Sequence, residues 1–253
     1  MLAVPASFFV RQNMVCALRF NVCSAAANRN RVMDDQSKLA YQDLRNLVEA
    51  GTFRMGERVQ EAKLARELEY SRTPIRAALN YLEYEGFLTY EPNKGHIMST
   101  FTPTDVEQIY LCRSLLEAEA TYLAAKKGLS ARTADKIQSL VQQMQRIVDQ
   151  NDLASRAVCE RYLRVNRKFH DTIYQACGNE HLLELIVHTS GLPRVIRNYY
   201  GFPAEAIESS QRDHVEMTRL LIGGDAARVR TRMRQHILKS CDFIVANPLA
   251  EAL

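Results

Sequence analysis

The chain lacks any apolar run near the roughly 18–20 residues that a bilayer-crossing helix needs. That argues against a membrane span. It also lacks a broadly basic segment, for the net charge is only +4 over 253 residues. Residues 34–102 hold nine Lys/Arg against eleven Asp/Glu, and the remainder from 103 holds twenty against eighteen. Any nucleic-acid contact must therefore rest on a local patch. Six cysteines (Cys16, Cys23, Cys112, Cys159, Cys177 and Cys241) show no paired short spacing. A chain of two-domain length with 47% hydrophobic residues needs no disulfide staples. Reduced, buried thiols in a cytosolic protein are expected. Residues 1–33 contain four arginines and no acid, a composition that superficially resembles an organellar presequence. The simpler reading is an over-long start, with Met33 opening the natural chain. Residues 1–33 are thus treated as an extension outside the folded units.

Two units follow, and the expected fold is mainly α. From Ser37, Leu39, Leu44, Leu47 and Val48 recur at helical spacing until Gly51. "FRMGERVQ" reads as a loop and Glu61–Leu68 as a short second helix. "EYSR" turns into a third helix with Ser71 or Thr73 as N-cap, Pro74 in its first turn and Gly86 at its end. "FLTYEPNKGHIMST" reads as two short strands around Pro92, Asn93 and Gly95. Helix, helix–turn–helix and hairpin in that order make a winged helix-turn-helix over 34–101. "TPTD" at 102–105 then caps a helical unit running to 253. Helices are expected near 104–127, 131–150, 154–177, 180–200, 204–222 and 225–245, an all-α antiparallel bundle of six or seven helices. No strand pattern appears past residue 100.

The third helix is basic only at its start. Arg72 and Arg76 lie one turn apart there, whereas Glu83 and Glu85 lie at the far end. In a helix-turn-helix the N-terminal residues of the second helix meet base edges. Arg72 and Arg76 then reach guanine edges or phosphates. Lys94 and His96 flank the wing glycine, Gly95, where backbone amides can approach phosphate. From charge alone a solvated helix face is the better reading of the two arginines, and the three-helix-plus-hairpin layout turns the balance toward DNA.

Residues 56–98 carry G-E-x-x-x-E-x-x-L-A, then S-R-T-P-x-R-x-A-L, then L-E-x-E-G and the closing wing glycine. This run resembles the DNA-binding domain of the GntR family of bacterial transcription regulators. The resemblance implies a homodimer on a palindromic operator of double-stranded DNA. It implies base or phosphate contacts by Arg72, Thr73, Pro74 and Arg76, with Gly95 at the wing. Some relatives carry a further arginine early in the second helix, where this chain has Ala62.

In the helical unit, Val106, Ile109, Arg113, Leu116, Ala120 and Leu123 share one face. A buried guanidinium needs an acidic partner. Arg113 either pairs with Glu117 one turn on or awaits a ligand carboxylate, for which its planar fork is suited. Three further helices each aim a histidine inward: His170, His214 and His236. Asn166 lies one turn before His170, so the two side chains can converge. A single inward histidine is usually a satisfied core residue. Three, with an amide oxygen beside one, also fit a divalent-metal site.

"RSLLEAEATYLAA", "NRKFHDTIYQACGNEHL", "DHVEM" and "GDAARVRTRMRQHI" together resemble the FCD ligand-binding domain that follows many GntR DNA-binding domains. The resemblance implies a metal held by Asn166, His170, His214 and His236, with Asn166 standing where many members have Asp. Zn²⁺ is the expected ion, with Ni²⁺ or Mn²⁺ as alternatives. It further implies a small organic-acid effector beside the metal; Arg113 is then the expected neutralising cation, and Tyr110, Arg197 and Tyr199 are candidate lining residues. His181 and His188 read as surface or packing residues. The leading expectation is an effector-responsive transcription repressor in the bacterial cytoplasm, at the nucleoid. A metal-dependent hydrolase is the alternative from another class, although no inward Glu or Asp is evident at a spacing that supplies a general base. A metal-free acyl-thioester sensor is the third.

Overall fold

The computed structural model describes residues 34–150, 153, 155–193, 196 and 203–247. Helix α1 spans Asp35–Glu49 and is capped by Asp34, whose carboxylate accepts from the Ser37 amide at 2.8 Å. Ala40, Leu44 and Val48, one per turn, are buried. They pack on Ile75, Ala78, Leu79 and Leu82 of α3, Arg72–Tyr84. Between them α2, Glu61–Glu67, inserts Leu64 into the same core. Pro74 opens α3 without loss because first-turn amides have no intrahelical acceptor. Ser71 takes the N-cap position with extended backbone but makes no side-chain capping bond.

The hairpin pairs β1, Leu88–Glu91, with β2, Gly95–Met98, from Leu88↔Met98 to Glu91↔Gly95. Its turn needs left-handed backbone at Asn93 (φ 69°) and Gly95 (φ 84°), which suits these two residue types. The segment expected to be a loop before α2 adds a third edge. The Val59 amide donates to the His96 carbonyl at 2.8 Å, and the Met98 amide to the Glu57 carbonyl at 2.9 Å.

Thr102 and Asp105 close a reciprocal capping box at the start of α4, Pro103–Lys127. Helices α5 (Ala131–Gln150), α6 (Arg156–Gln175), α7 (Glu180–Ser190), α8 (Ala204–Ile222) and α9 (Ala226–Ala246) complete the described bundle. Ala118, Ala120, Ala124 and Ala125 are buried on α4, and small residues let α9 approach closely. Tyr162, Phe169, Met217, Val229 and Met233 fill the centre. Asp225, which follows Gly223 and Gly224, caps α9 by accepting from the Arg228 amide at 3.2 Å. The helix expected over 180–200 is described only to Ser190 as a continuous element. Among the described residues no helix is long and apolar enough to cross a membrane. Cys112, Cys159, Cys177 and Cys241 are free thiols, but Cys112 is exposed rather than buried. Burial raises the Cys241 thiol to about 11.

The two units touch through α1, α6 and the end of α7. Arg167 Nη1 on α6 lies 3.7 Å from Glu49, Glu49 accepts from Arg45 Nε at 2.9 Å, and Arg45 Nη1 reaches Glu85 at 3.2 Å. Glu85 is the C-cap of α3. Gly191 sits so close that a Cβ there would lie 2.4 Å from Phe87 Cζ and 3.1 Å from Arg45 Nη2.

Candidate nucleic-acid interface and metal centre

The start of α3, the wing and the strand-like edge before α2 enclose a concavity of about 720 Å³. Arg58, Arg72, Arg76, Asn80, Lys94 and Gly95 line it. The local basic patch is therefore assembled from three elements. Arg72 and Thr73 are exposed in the first turn of α3. Arg72 has no hydrogen bond or ion pair to a described residue. Arg76 instead makes a two-pronged pair with Glu61, Nε–Oε2 3.0 Å and Nη2–Oε1 2.8 Å. Lys94 pairs with Glu91 at 2.7 Å.

Two of the expected contact residues are buried, although His96 still lines the concavity. Pro74 is buried against the α1–α3 core, so it shapes the helix start. His96 is only 8% exposed, and its Nε2 lies 3.3 Å from Glu83. β2 alternation turns His96 toward α3, leaving the neighbouring Gly95 open: a Cβ there would meet nothing within 4 Å. Arg58 escaped the sequence reading because it sits in an apparent loop. Its bridge to Ile97 brings it to the wing. Ala62 also lines the concavity, on the α2 side.

In the bundle, His170, His214 and His236 meet in the core with ring nitrogens within 4.8 Å of one another. His170 Nε2 lies 3.3 Å from His214 Nε2. An oxygen lies beside each outward nitrogen. His170 Nδ1 is 2.8 Å from the Tyr174 hydroxyl, His214 Nδ1 is 3.3 Å from the Tyr162 hydroxyl, and His236 Nδ1 is 3.5 Å from Asp213 Oδ2. Tyr174 donates its proton to Glu117 and Tyr162 donates to the Ile207 carbonyl at 3.4 Å. The Tyr174 hydroxyl thus accepts from His170 Nδ1–H, and with the Tyr162 proton on the Ile207 carbonyl the same holds at His214. In that tautomer the Nε2 lone pairs of His170 and His214 face each other. Two lone pairs at that distance repel unless a cation lies between them. The spacing is close to that of two imidazole nitrogens sharing a tetrahedral ion at about 2.0–2.1 Å each. Asn166, one turn before His170, has a buried Oδ1 with no hydrogen-bond partner. The donor set fits a divalent ion.

Burial, and then the neighbouring His236 and His170, hold His214 well below its ordinary range, in the neutral form that binds metal. Burial raises Asp213, but His236, Lys239 and Arg232 outweigh it and keep it ionised. Tyr174 is raised well above its usual range, first by burial and then by the Glu117 carboxylate.

The two alternatives for Arg113 resolve toward Glu117, which its Nε meets at 2.7 Å, while its guanidinium lies 4.7 Å over the Tyr110 ring. Tyr110 is buried beneath it. No general base was expected beside the histidines, and the structure does bury two carboxylates close to them, Glu117 at 1% and Asp213 at 7% exposure. Neither is a free base. Glu117 is held by Arg113 and Tyr174, and Asp213 by His236, Lys239 and Arg232. Arg197 and Tyr199 lie outside the described residues. His181 is exposed beside Glu184, and His188 packs edge-on against Tyr84 of the other unit.

Residues 36–97 match the family described as bacterial regulatory proteins, gntR family, and residues 108–239 match the FCD domain. The Nta operon transcriptional regulator of Aminobacter aminovorans is 30% identical over 76% of this chain and 87% of its own length. The HTH-type transcriptional regulator YdhC of Bacillus subtilis is 31% identical over 64% of this chain and 70% of its own. Among solved structures, E. coli McbR/YncC superposes with a TM-score of 0.67 at 20% identity, covering 84% of this chain and 98% of that one. The gntR family and both of these relatives are described as transcription regulators.

Proposed function

The chain belongs to the GntR family of bacterial transcription regulators, in the subgroup that carries an FCD domain, and we propose that it is a metal-dependent repressor released from DNA by a small organic acid. It acts in the cytoplasm as a homodimer on a palindromic operator, with Arg72, Thr73 and Arg76 at the groove and Lys94 and the Gly95 backbone on the flanking phosphates. Arg58 adds a further phosphate contact. The observation that carries the DNA reading is the concavity in which Arg58, Arg72, Arg76 and Lys94 converge from three elements.

The metal reading is supported by the facing Nε2 atoms of His170 and His214. His170, His214 and His236 would hold the ion, with Asn166 Oδ1 as the oxygen donor, and Zn²⁺ suits this set best, ahead of Ni²⁺ or Mn²⁺. A bound dication supplies positive charge and open positions for an anionic oxygen. Arg113 would meet the effector through its terminal nitrogens, because its Nε is already engaged with Glu117. Tyr110 keeps the guanidinium plane in place.

For the effector to change DNA affinity, it must bind one arrangement of the two units better than the other. Helix α6 offers the route. It carries Asn166 and His170 on one side and Arg167 on another, and Arg167 opens the ion chain through Glu49 and Arg45 to Glu85 at the end of α3.

Elemental analysis of full-length wild type and His214→Ala, dialysed against Zn²⁺, tests the metal reading. The expected result is one ion per wild-type chain and a substoichiometric level in the variant. Equal, negligible content in both proteins would remove the metal from the account.

A further inference from the structure

We infer that Glu61 is a positioning residue for base recognition: it holds Arg76 so that the outer edge of the guanidinium is presented to a guanine. This rests on the DNA-binding reading above.

An arginine has five N–H donors in a fixed plane. Glu61 takes two on one edge, Nε–H at 3.0 Å and one Nη2–H at 2.8 Å. The end edge, Nη1 with the remaining Nη2 hydrogen, is left open, and no other described residue bonds to Arg76. That edge is the one able to bond guanine O6 and N7 together. The acceptor itself is fixed, because α2 is anchored by the buried Leu64 in the core it shares with α3.

Glu61 is the lone acid lining the concavity. Facing phosphates, a carboxylate there weakens binding to any DNA. Contact with phosphate alone requires no fixed guanidinium plane, and Arg72, one turn earlier, has none imposed on it. The Arg76 hydrogen bonds, ahead of its charge, lower the Glu61 carboxyl, so it stays ionised and keeps this grip. The arrangement therefore separates two roles on one helix face. Arg72 is exposed, with no hydrogen bond to a described residue, and is suited to phosphate, whereas Arg76 is held by Glu61 before DNA arrives and is suited to a base edge. Ordering a long side chain in advance lowers the cost of immobilising it on binding.

The test uses full-length protein and a duplex recovered from randomised DNA by wild-type selection, with every single-base variant and a random duplex as controls. Glu61→Ala is expected to reduce the preference for the selected duplex over random DNA by about tenfold. The loss should fall at the same guanine that Arg76→Ala stops reading, and the double variant should match Arg76→Ala alone. Glu61→Gln, which keeps one acceptor for Arg76, should retain part of the preference. Thermal midpoints establish that each variant is folded. If Glu61→Ala instead tightens binding to every duplex by one common factor and leaves the base profile unchanged, Glu61 only repels DNA and the inference fails. A wild-type base profile in Arg76→Ala would defeat the reading of α3 itself, and this inference with it.

Discussion

The Tyr174 hydroxyl lies 2.8 Å from His170 Nδ1 and donates its own proton to Glu117. With Arg113 on the other oxygen of Glu117, at 2.7 Å, a four-residue relay runs from α4 into the histidine cluster. It fixes the tautomer of His170 and presents Nε2 to the site. Outer partners of this kind are worth about 10–100-fold in metal affinity. Tyr174→Phe should therefore weaken Zn²⁺ binding by about that factor, measured by competition with a chromophoric chelator. Unchanged affinity would mean that the relay serves packing alone.

In the proposed site Asn166 would supply a neutral oxygen, where a carboxylate would add a full charge beside the dication. Asn166→Asp should tighten divalent binding, with the larger gain for Mn²⁺, which favours carboxylate over amide donors more than Zn²⁺ does. Calorimetric titration of both proteins with both ions checks the direction. Weaker binding in the variant would place Asn166 outside the coordination sphere.

His214 gives the metal-free protein a defined pH dependence. Its folded value lies well below 6.5, first through burial and then through His236 and His170. Below about pH 6.5 the unfolded chain takes up a proton that the folded chain refuses, so stability is present above that pH and is lost as pH falls beneath it. The thermal midpoint of metal-free protein should drop between pH 7.5 and 5.5. His214→Gln should show a shallower drop.

The sequence was most legible where local chemistry decides the structure. Pro74 after Ser71, the 102–105 capping signal, Asn93 and Gly95 in the wing and Asp225 after two glycines each specify a boundary by backbone geometry. The three histidines were legible because each repeats at its helix's apolar spacing. Glu117 was legible as a partner for Arg113 but not as a neighbour of the histidines, because α4 is buried on several sides and also encloses Ser114 and Thr121. On such a helix no polar face marks the outside, so an acid carries no sign of pointing inward. Asp213 was hidden for the same reason on α8, where Ser209, Ser210 and Gln211 are buried as well. Arg58 and the Glu61–Arg76 pair depend on contacts 39 and 15 residues apart, beyond the reach of any local pattern.

The ion chain Arg167–Glu49–Arg45–Glu85 connects α6, the helix that carries Asn166 and His170, to the end of α3. Arg167 is half-exposed and its contact with Glu49 is long, so Arg167→Ala should leave the thermal midpoint nearly unchanged, in keeping with the small worth of such pairs. Its effect should appear in the coupling. Effector binding is expected to change wild-type DNA affinity by roughly 5–150-fold, and Arg167→Ala should compress that ratio while preserving affinity in the effector-free state. An undiminished ratio would direct attention to the Gly191–Phe87 contact instead.

The central claim is tested most directly by fluorescence-anisotropy titration of a selected duplex and a random duplex at two salt concentrations, with wild type and Arg72→Ala/Arg76→Ala. The account predicts that wild type prefers the selected duplex, that its affinity falls with salt, and that the double variant loses the preference and has a shallower salt slope. Equal preference and equal slope in both proteins would contradict it, because the start of α3 would then not be the surface that meets DNA.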